Sequence, residues 1–560
     1  MPENRNGSSA FAAEIIRKIM NKRGIIGAEA QEEFLAPNPR LAYDPFLLRN
    51  MGAGVDLLLH AISEQKHIVI YGDYDCDGVT ATALLMKVLR TVTDKVSYYI
   101  PSRMEEGYGL HCDAIDAIKD DGGEVIVTVD CGSVSAKEAE HAASLGIEMV
   151  ITDHHEVRDV VAPGIVINPK VPGDTYPFRG LAGVGVAYKL ALALSKRMDI
   201  PRSVITEVLE LVAVGTIGDI MPLLDENRSL VKYGLRLMRG GCCNRGLKTL
   251  LRMTETPCEE LLAEDISFQI VPRINAAGRL GDASLGVKAL LAETQEEADY
   301  YCRRLMEINE KRREMQQEAY QRLFAAAKEE AEFGDFLLVE AKDEHEGILG
   351  IVAGKLKEHF RRPVAIVTEN EGHLKGTSRS VDGLDIFKLL SAHRNMFSAF
   401  GGHAKACGFT MEPEDLEELR FSLNEEVALL EEEDPTIFDK KYKYDMELLP
   451  ADVTPEFVKA LRVLEPCGEK NERPVALFHA VHLENWSFLG SGTSYARFRI
   501  EKNGSGIDGI LFQDALEVHG LFEKGLPVDV YGKMSINRWN GRERLQLEVR
   551  DVIPAKTEEA

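Results

Sequence analysis

Short apolar runs recur along the first third of the chain, at 67–72 (HIVIYG), 96–101 (VSYYIP), 124–130 (EVIVTVD), 148–152 (EMVIT) and 165–168 (IVIN). Helix-like stretches separate them. Strands that alternate with helices build βαβ units, so the pattern predicts a mostly parallel sheet in an α/β domain that continues through a helical section and, with an N-terminal extension counted to it, spans 1–285. From Thr294 to Phe333 the chain has no Pro or Gly and is rich in strong helix formers, which predicts a long connecting helix within 286–334. FLLVE (336–340) and PVAIVTE (363–369), with the helical segment GILGIVAGKLKEHF between them, open a second α/β domain over 335–432. After the acidic stretch EEVALLEEEDPT the pattern turns to β over 433–560, with Asn503-Gly504 and Asn540-Gly541 as hairpin turns.

The last segment fits a small closed β-barrel of the oligonucleotide-binding type, with a sandwich as the alternative. A length of 560 residues agrees with several domains, and 45% hydrophobic with 28% charged residues argues against wholesale disorder. The N-terminal segment lacks an apolar stretch followed by a small-residue cleavage site, and no apolar run approaches membrane-spanning length. A cytoplasmic protein with no membrane partner is expected. Nine cysteines occur without a C-x-x-C pair, so reduced thiols are expected. The net charge of −25 argues against a protein that coats nucleic acid electrostatically. Screening over a Debye length of roughly 8 Å nevertheless allows a basic groove to coexist with distant acidic helices.

The chemistry concentrates where apolar runs end. In Tyr71-Gly72-Asp73-Tyr74-Asp75-Cys76-Asp77-Gly78 three carboxylates follow a strand at alternate positions, and each raises the pKa of its neighbours unless a cation intervenes. A solvated acidic turn is the bland alternative. A calcium loop is another, but its twelfth position would be a bidentate Glu and here is Leu84 within an apolar helix. Strand alternation would aim Asp75 and Asp77 inward and the Cys76 thiol away. Asp130 ends a second apolar run, Asp153-His154-His155 ends a third, and Asp219 follows a fourth. Singly, each is more often a helix cap or a satisfied core residue. In a parallel sheet, however, the carboxyl ends of the strands converge on one crevice, and oxygen ligands with imidazole suit manganese or magnesium.

These segments resemble the four motifs of the DHH phosphoesterase superfamily, which takes its name from the Asp153-His154-His155 type of triplet. The resemblance implies that Asp75, Asp77, Asp130, His154 and Asp219 ligate two divalent ions, Mn2+ or Mg2+. It also implies that His155 contacts the scissile phosphate while Asp73 and Asp153 support the site. Two metals would activate water and neutralise phosphate charge.

YIPSRMEEGYGLH (99–111), TYPFRGLAGVGVAYKL (175–190) and VPRINAAGRLGDA (271–283) resemble the bacterial RecJ-type family of single-stranded-DNA exonucleases. EHEGILGIVAGKL (344–356), LKGTSRS (374–380) and FGGHAKACGF (400–409) resemble the DHHA1-type domain of that family. The likeness implies 5′ to 3′ hydrolysis that releases 5′ mononucleotides in DNA repair and recombination. Arg103, Thr377, Ser378 and Arg379 would hold a terminal 5′ phosphate, with Arg273, Asn275, Arg279 and His403 near the cut. Apart from family likeness, Gly376–Ser380 reads equally as a surface turn. Lys533, Arg538, Trp539, Arg542 and Arg544 are candidate strand contacts in the barrel, although Trp539 reads equally as a core aromatic. Partners implied are single-stranded DNA, a helicase and a single-strand-binding protein, with a monomeric enzyme. A short-oligonucleotide or cyclic-dinucleotide phosphodiesterase and an inert DNA-binding scaffold are the alternatives.

Overall fold

The computed structural model describes residues 9–36, 42–103, 106–157, 160–242, 244–370, 372–489, 495–512, 515–539 and 542–555. Its first sheet contains β1 (Ile68–Gly72), β2 (Val96–Tyr99), β3 (Val125–Val129), β4 (Glu148–Thr152) and β5 (Ile165–Ile167), in the order β2-β1-β3-β4-β5. All four pairings are parallel. β1 and β3 are buried throughout because helices cover both faces, which is why they read as unbroken apolar runs rather than alternating ones. Ile68 and Ile70 join the core beneath the helices Cys76–Leu89, Gly183–Ser195 and Leu209–Gly218. Val69 and Tyr71 face the opposite way, onto Ile115 and Ile118. The chain leaves β1 for the outer strand β2 and returns to β3. The connections therefore diverge between β1 and β3, leaving a crevice at their carboxyl ends.

The helix Gln295–Phe333 begins at a capping box in which Thr294 and Glu297 satisfy each other's backbone N–H groups. It leads to a second sheet of β6 (Leu337–Glu340), β7 (Val364–Asn370), β8 (His373–Arg379), β9 (Phe397–His403) and β10 (Ala406–Met411), ordered β6-β7-β8-β10-β9. β6 and β7 are parallel and the other pairings antiparallel. The helix Glu346–Phe360 packs on β7, β8 and the long helix.

The last strands are β11 (Met446–Glu447), β12 (Val475–Leu489), β13 (Tyr495–Lys502), β14 (Ser505–Leu511), β15 (Val528–Trp539) and β16 (Arg542–Pro554). Five of them, β12-β13-β14-β16-β15, close through an additional β12–β15 pairing, which decides for a barrel over a sandwich. Asn503 and Gly504 take φ of 54° and 77° between β13 and β14, the left-handed pair that a two-residue hairpin needs. Asn540, Gly541 and the side chains of Arg538, Trp539 and Arg542 lie outside the described residues. The eight described cysteines are free thiols. Among the described residues, no helix is long and apolar enough to cross a membrane.

The N-terminal extension departs from expectation. Its apolar stripe of Ile15, Ile16 and Ile19, together with Phe34, packs with Phe457, Leu464 and the barrel rather than on the parallel sheet. Amphipathic spacing demands a partner surface but does not name which one. From the helix Asp225–Arg239, Arg228 ties the N-terminal segment to the turn that precedes the barrel strands. Its guanidinium lies 3.7 Å from the Phe34 ring and donates to the carbonyl oxygens of Phe34, Val463, Leu464, Glu465 and Pro466. Burial lowers its pKa to about 10, so it stays charged at neutral pH. Arg228→Met leaves these buried carbonyls without their donor and is expected to destabilise the chain by about 3 kcal/mol, read as a lowered midpoint in chemical unfolding.

Candidate active site

The crevice gathers its acids by three different local devices. Asp73 directly follows β1. Asp75 is the N-cap of the helix Cys76–Leu89, its Oδ1 accepting from the N–H groups of Asp77 (2.8 Å) and Gly78 (3.2 Å). This corrects the expectation of strand alternation across Asp75-Cys76-Asp77. Helical geometry sets these directions, and Cys76 is buried, its thiol 3.9 Å from the Val214 carbonyl oxygen. Asp77 is fixed from below by the first turn of the helix Gly183–Ser195, where Gly183 N–H (2.7 Å) and Val184 N–H (2.9 Å) donate to its two oxygens.

Asp130, after β3, sits at φ 65°, a strained conformation for a residue with a side chain. Its own N–H donates to the Thr152 carbonyl at the end of β4. Gly183 makes room for it, since a Cβ there would fall 2.5 Å from Asp130 Oδ1. Asp219 is placed differently. The apolar run before it is the buried helix Leu209–Gly218, with Asp219 as its C-cap and Ile220 left-handed at φ 53°.

These side chains converge. His154 Nε2 lies 3.0 Å from Asp130, 3.4 Å from Asp219 and 3.8 Å from Asp77. Three overlapping sets, Asp130/His154/His155, Asp77/His154/Asp219 and Asp73/Asp75/Asp130, each bring ligand atoms within 4.8 Å of one another. Asp153 faces elsewhere. It accepts from the N–H groups of Ser133, His154 and His155 and lies 2.8 Å from His155 Nδ1, so it fixes the loop and orients the ring. Asn168 donates to the His155 carbonyl and the Ser133 hydroxyl.

Burial is the main cause that drives the carboxyl pKa values up, and the neighbouring acids add to it. Asp77 is pushed up to about 7, Asp219 to about 8, and Asp73 and Asp130 well above the usual range. Burial and the charge of His155 hold His154 down to about 3, so it is neutral and able to ligate. For His155 burial is outweighed by the Asp153 hydrogen bond and charge, which raise it to about 9. Asp153 is pulled below the ordinary carboxylate range by the same pair, against its own burial. Asp73 Oδ1, Asp130 Oδ1 and both nitrogens of His154 are buried without hydrogen-bond partners. Orphaned oxygens and a neutral imidazole among carboxylates that resist ionising are the donor set that a pair of hard divalent cations completes.

Three arginines meet beside the acids. Arg279 feels Arg103 and Arg379 as like charges and Asp75 as an opposite one, and burial with this repulsion lowers its pKa to about 10. Among the described residues none of the three makes an ion pair. Arg103 rests over Tyr74 (5.2 Å), and Arg279 donates to the Gly347 carbonyl (3.2 Å). Thr377 and Arg379 border the helix Glu346–Phe360 at Gly350, where a Cβ would fall 2.7 Å from Arg379 Nη2.

Other expectations change. The segment 376–380 is not a turn, because Gly376–Arg379 belongs to the inner strand β8. Ser378 is buried with its hydroxyl bonded to the Cys407 backbone, which removes it from the candidate phosphate contacts. Asn275 spends its carbonyl oxygen on the Cys76 N–H (2.7 Å), steadying the Asp75–Asp77 turn. Arg273 donates to the Phe268 carbonyl. His403 is exposed at the end of β9, its Nδ1 accepting from Lys405 N–H. Lys533 is half-buried on β15, and Arg544 is exposed on β16 beside Arg499 and Asp508. Tyr108 was not anticipated. Its hydroxyl lies 3.1 Å from His155 Nδ1 while the residue is 50% exposed, and its only signal was its place in YIPSRMEEGYGLH.

Comparison with known proteins agrees with this architecture. Residues 67–216 match the DHH family N-terminal domain, 334–429 the DHHA1 domain and 444–551 the RecJ OB domain. The chain is 36% identical to the single-stranded-DNA-specific exonuclease RecJ of Bacillus subtilis, over 96% of this chain and 67% of that protein. It is 32% identical to RecJ of Escherichia coli, over 96% of both. The crystal structure of RecJ from Thermus thermophilus with Mn2+ superposes with a TM-score of 0.80 at 28% identity, covering 97% of this chain and 78% of that one. With the acids, histidines and arginines gathered in one cleft and the likeness running nearly end to end, the chain belongs to the RecJ family of single-stranded-DNA-specific exonucleases.

Proposed function

We propose that the chain is a metal-dependent exonuclease that hydrolyses single-stranded DNA from the 5′ end and releases 5′ mononucleotides, in DNA repair and recombination. One observation carries this reading: the buried acid–histidine cluster lies beside three arginines that make no ion pair among the described residues, Arg103 and Arg279 from the first α/β domain and Arg379 from the second. Asp75, Asp77, Asp130, His154 and Asp219 would hold two divalent ions, Mn2+ or Mg2+. When bound, such ions supply hydroxide near neutral pH and offset charge on the phosphate.

The chain's own groups do the rest. His155, held cationic by Asp153, offers a proton-bearing ring nitrogen to a phosphate oxygen near the metal ligands. Asp73 supports the cluster. Arg103, Thr377 and Arg379 grip the terminal 5′ phosphate, with Arg279 between them and the acids, so that the first phosphodiester falls at the cluster and polarity follows from that spacing. Asn275 keeps the Asp75–Asp77 turn in place, and Arg273 and His403 flank the strand. The barrel, with Lys533 and Arg544 on its surface and Arg538, Trp539 and Arg542 in its β15–β16 hairpin, engages the strand further on. The same reading takes the enzyme to be a monomer in the cytoplasm, working with a helicase and a single-strand-binding protein.

A 5′-labelled single strand, its duplex, a dinucleotide and a cyclic dinucleotide, each incubated with Mn2+, test the reading together. Stepwise loss of the single strand is expected, whereas preference for either dinucleotide, or binding without cleavage, would refute it. Asp130→Ala is expected to lower the rate by about 10³-fold or more with the fold retained by circular dichroism, because it removes an acid shared by two of the overlapping ligand sets. Arg379→Ala is expected to lose about 10²-fold of the preference for 5′-phosphorylated over 5′-hydroxyl strands, measured as a ratio of kcat/KM.

Raised carboxyl pKa values also set a sign. The metal-free folded chain holds protons that the unfolded chain has already released, so its stability falls as pH rises from the ordinary carboxylate range through about 7 to 8. Bound metal must displace those protons. Mn2+ is therefore expected to raise the melting temperature more at pH 8 than at pH 6, and equal shifts at both would contradict the protonated cluster.

A further inference from the structure

The second sheet separates two environments. Alternate residues of β6 and β7 point to opposite faces, so Leu337, Val339 and Ile366 pack on the long helix and the helix Glu346–Phe360, whereas Leu338, Ala365 and Val367 pack on the helix Leu416–Glu433. Arg379 lies against Gly350 of the helix Glu346–Phe360. The helix Leu416–Glu433 is therefore on the far side of the sheet from the arginines beside the acid–histidine cluster. It buries Leu416, Leu419, Leu423 and Val427, and its opposite side faces solvent.

That outer side is patterned. Phe421 and Leu429 are 65% and 60% exposed, and Ala428, at heptad spacing from Phe421, is exposed with them. Glu418, Glu425 and Glu432, also at heptad spacing, run beside this apolar line. The end of the long helix adds Phe333, 84% exposed and adjacent in the chain to Gly334, where a side chain would strike Asn424 of the helix Leu416–Glu433. Single exposed apolar residues are common, but a row of them on one helix face marks a surface that another element covers.

The charges on this side are set against the local field. Glu330 and Glu332 end the long helix and Glu431, Glu432 and Glu433 end its neighbour, with no basic residue in either last turn, although the carbonyl end of a helix favours cations. The nearby arginines are committed, Arg420 to Glu330, Glu340 and Glu417, and Arg362 to Asp335 and Glu431. Glu431 is pushed above the ordinary carboxylate range by its hydrogen bond with Asp335. Glu332, Glu418, Glu425, Glu432 and Glu433 enter no ion pair among the described residues. Nucleic acid or an anionic lipid surface is repelled here, and so is a second copy presenting the same side. A cationic partner relieves the repulsion, and apolar positions at heptad spacing edged by charge fit the seam between two helices.

We propose that the outer side of the helix Leu416–Glu433, with Phe333 at its edge, docks a basic amphipathic helix of a partner protein. Apolar side chains of that helix cover Phe421, Ala428 and Leu429, while its Lys and Arg residues meet Glu418, Glu425 and Glu432. Because the sheet lies between this side and the arginines, the partner binds without covering them.

Fluorescence anisotropy of the full-length protein with a labelled Leu/Lys peptide of about 18 residues, its leucines at heptad spacing, tests the surface. Micromolar binding is expected, weakened about 10-fold or more by Phe421→Ser/Leu429→Ser and by Glu425→Lys/Glu432→Lys. The second variant should keep or raise the melting temperature, because it places a cation in the last helical turn, and this separates lost docking from lost folding. A peptide of the same composition, its leucines shuffled off one face, should bind about 10-fold or more weakly than the ordered one. Wild-type affinity in either variant, equal binding of the two peptides, or no binding overturns the proposal. A dimer in sedimentation, or binding to phosphatidylserine vesicles, that Phe421→Ser/Leu429→Ser abolishes overturns it as well, since a second copy or a membrane would then occupy this side.

Discussion

Everything in this fold answers to one electrostatic constraint: several carboxylates are buried together where they repel one another. Asp73, Asp77, Asp130 and Asp219 resist ionising because burial removes water and each acid worsens the position of the others. Such a cluster persists only if the scaffold forces the groups together and a cation rewards the arrangement. The parallel sheet supplies the force. Its diverging connections at β1 and β3 leave a crevice, and the apolar helices packed around it bury Asp73, Asp77 and Asp130.

Local strain serves the same end. Asp130 is left-handed, Ile220 is left-handed immediately after Asp219, and Gly183 yields the space that a side chain would take from Asp130. Helix N-terminal amides hold Asp77, and Asp153 is spent on orienting His155 rather than on the cluster. The second domain then brings the opposite sign. Arg379 comes from β8 to meet Arg103 and Arg279, so a cleft that is acidic at its floor becomes basic along its wall. On the proposed reading, a phosphate chain would be attracted by the wall and would meet the acids only where bound metal reversed their charge.

Much of this was legible in the sequence, and the exceptions have physical reasons. Strands of a doubly covered parallel sheet are continuous apolar runs, so β1, β3 and β4 and the acids that end them could be read directly. The run before Asp219 was equally apolar but is a helix, because complete burial erases the periodicity that separates the two. Ser378 looked like a phosphate donor because a strand interior of small polar residues resembles a turn until its neighbours are known. The N-terminal helices pack their apolar stripe on the barrel, and nothing local in the sequence ties Ile15 and Ile19 to a barrel more than 400 residues away.

Anomalous diffraction at the manganese edge, from crystals grown with Mn2+, reads out whether the buried acid–histidine cluster is a two-metal site. Two strong peaks are expected among Asp75, Asp77, Asp130, His154 and Asp219, with both lost in Asp130→Ala crystals. Manganese bound elsewhere, or a cluster left without a peak under saturating metal, would contradict a two-metal site.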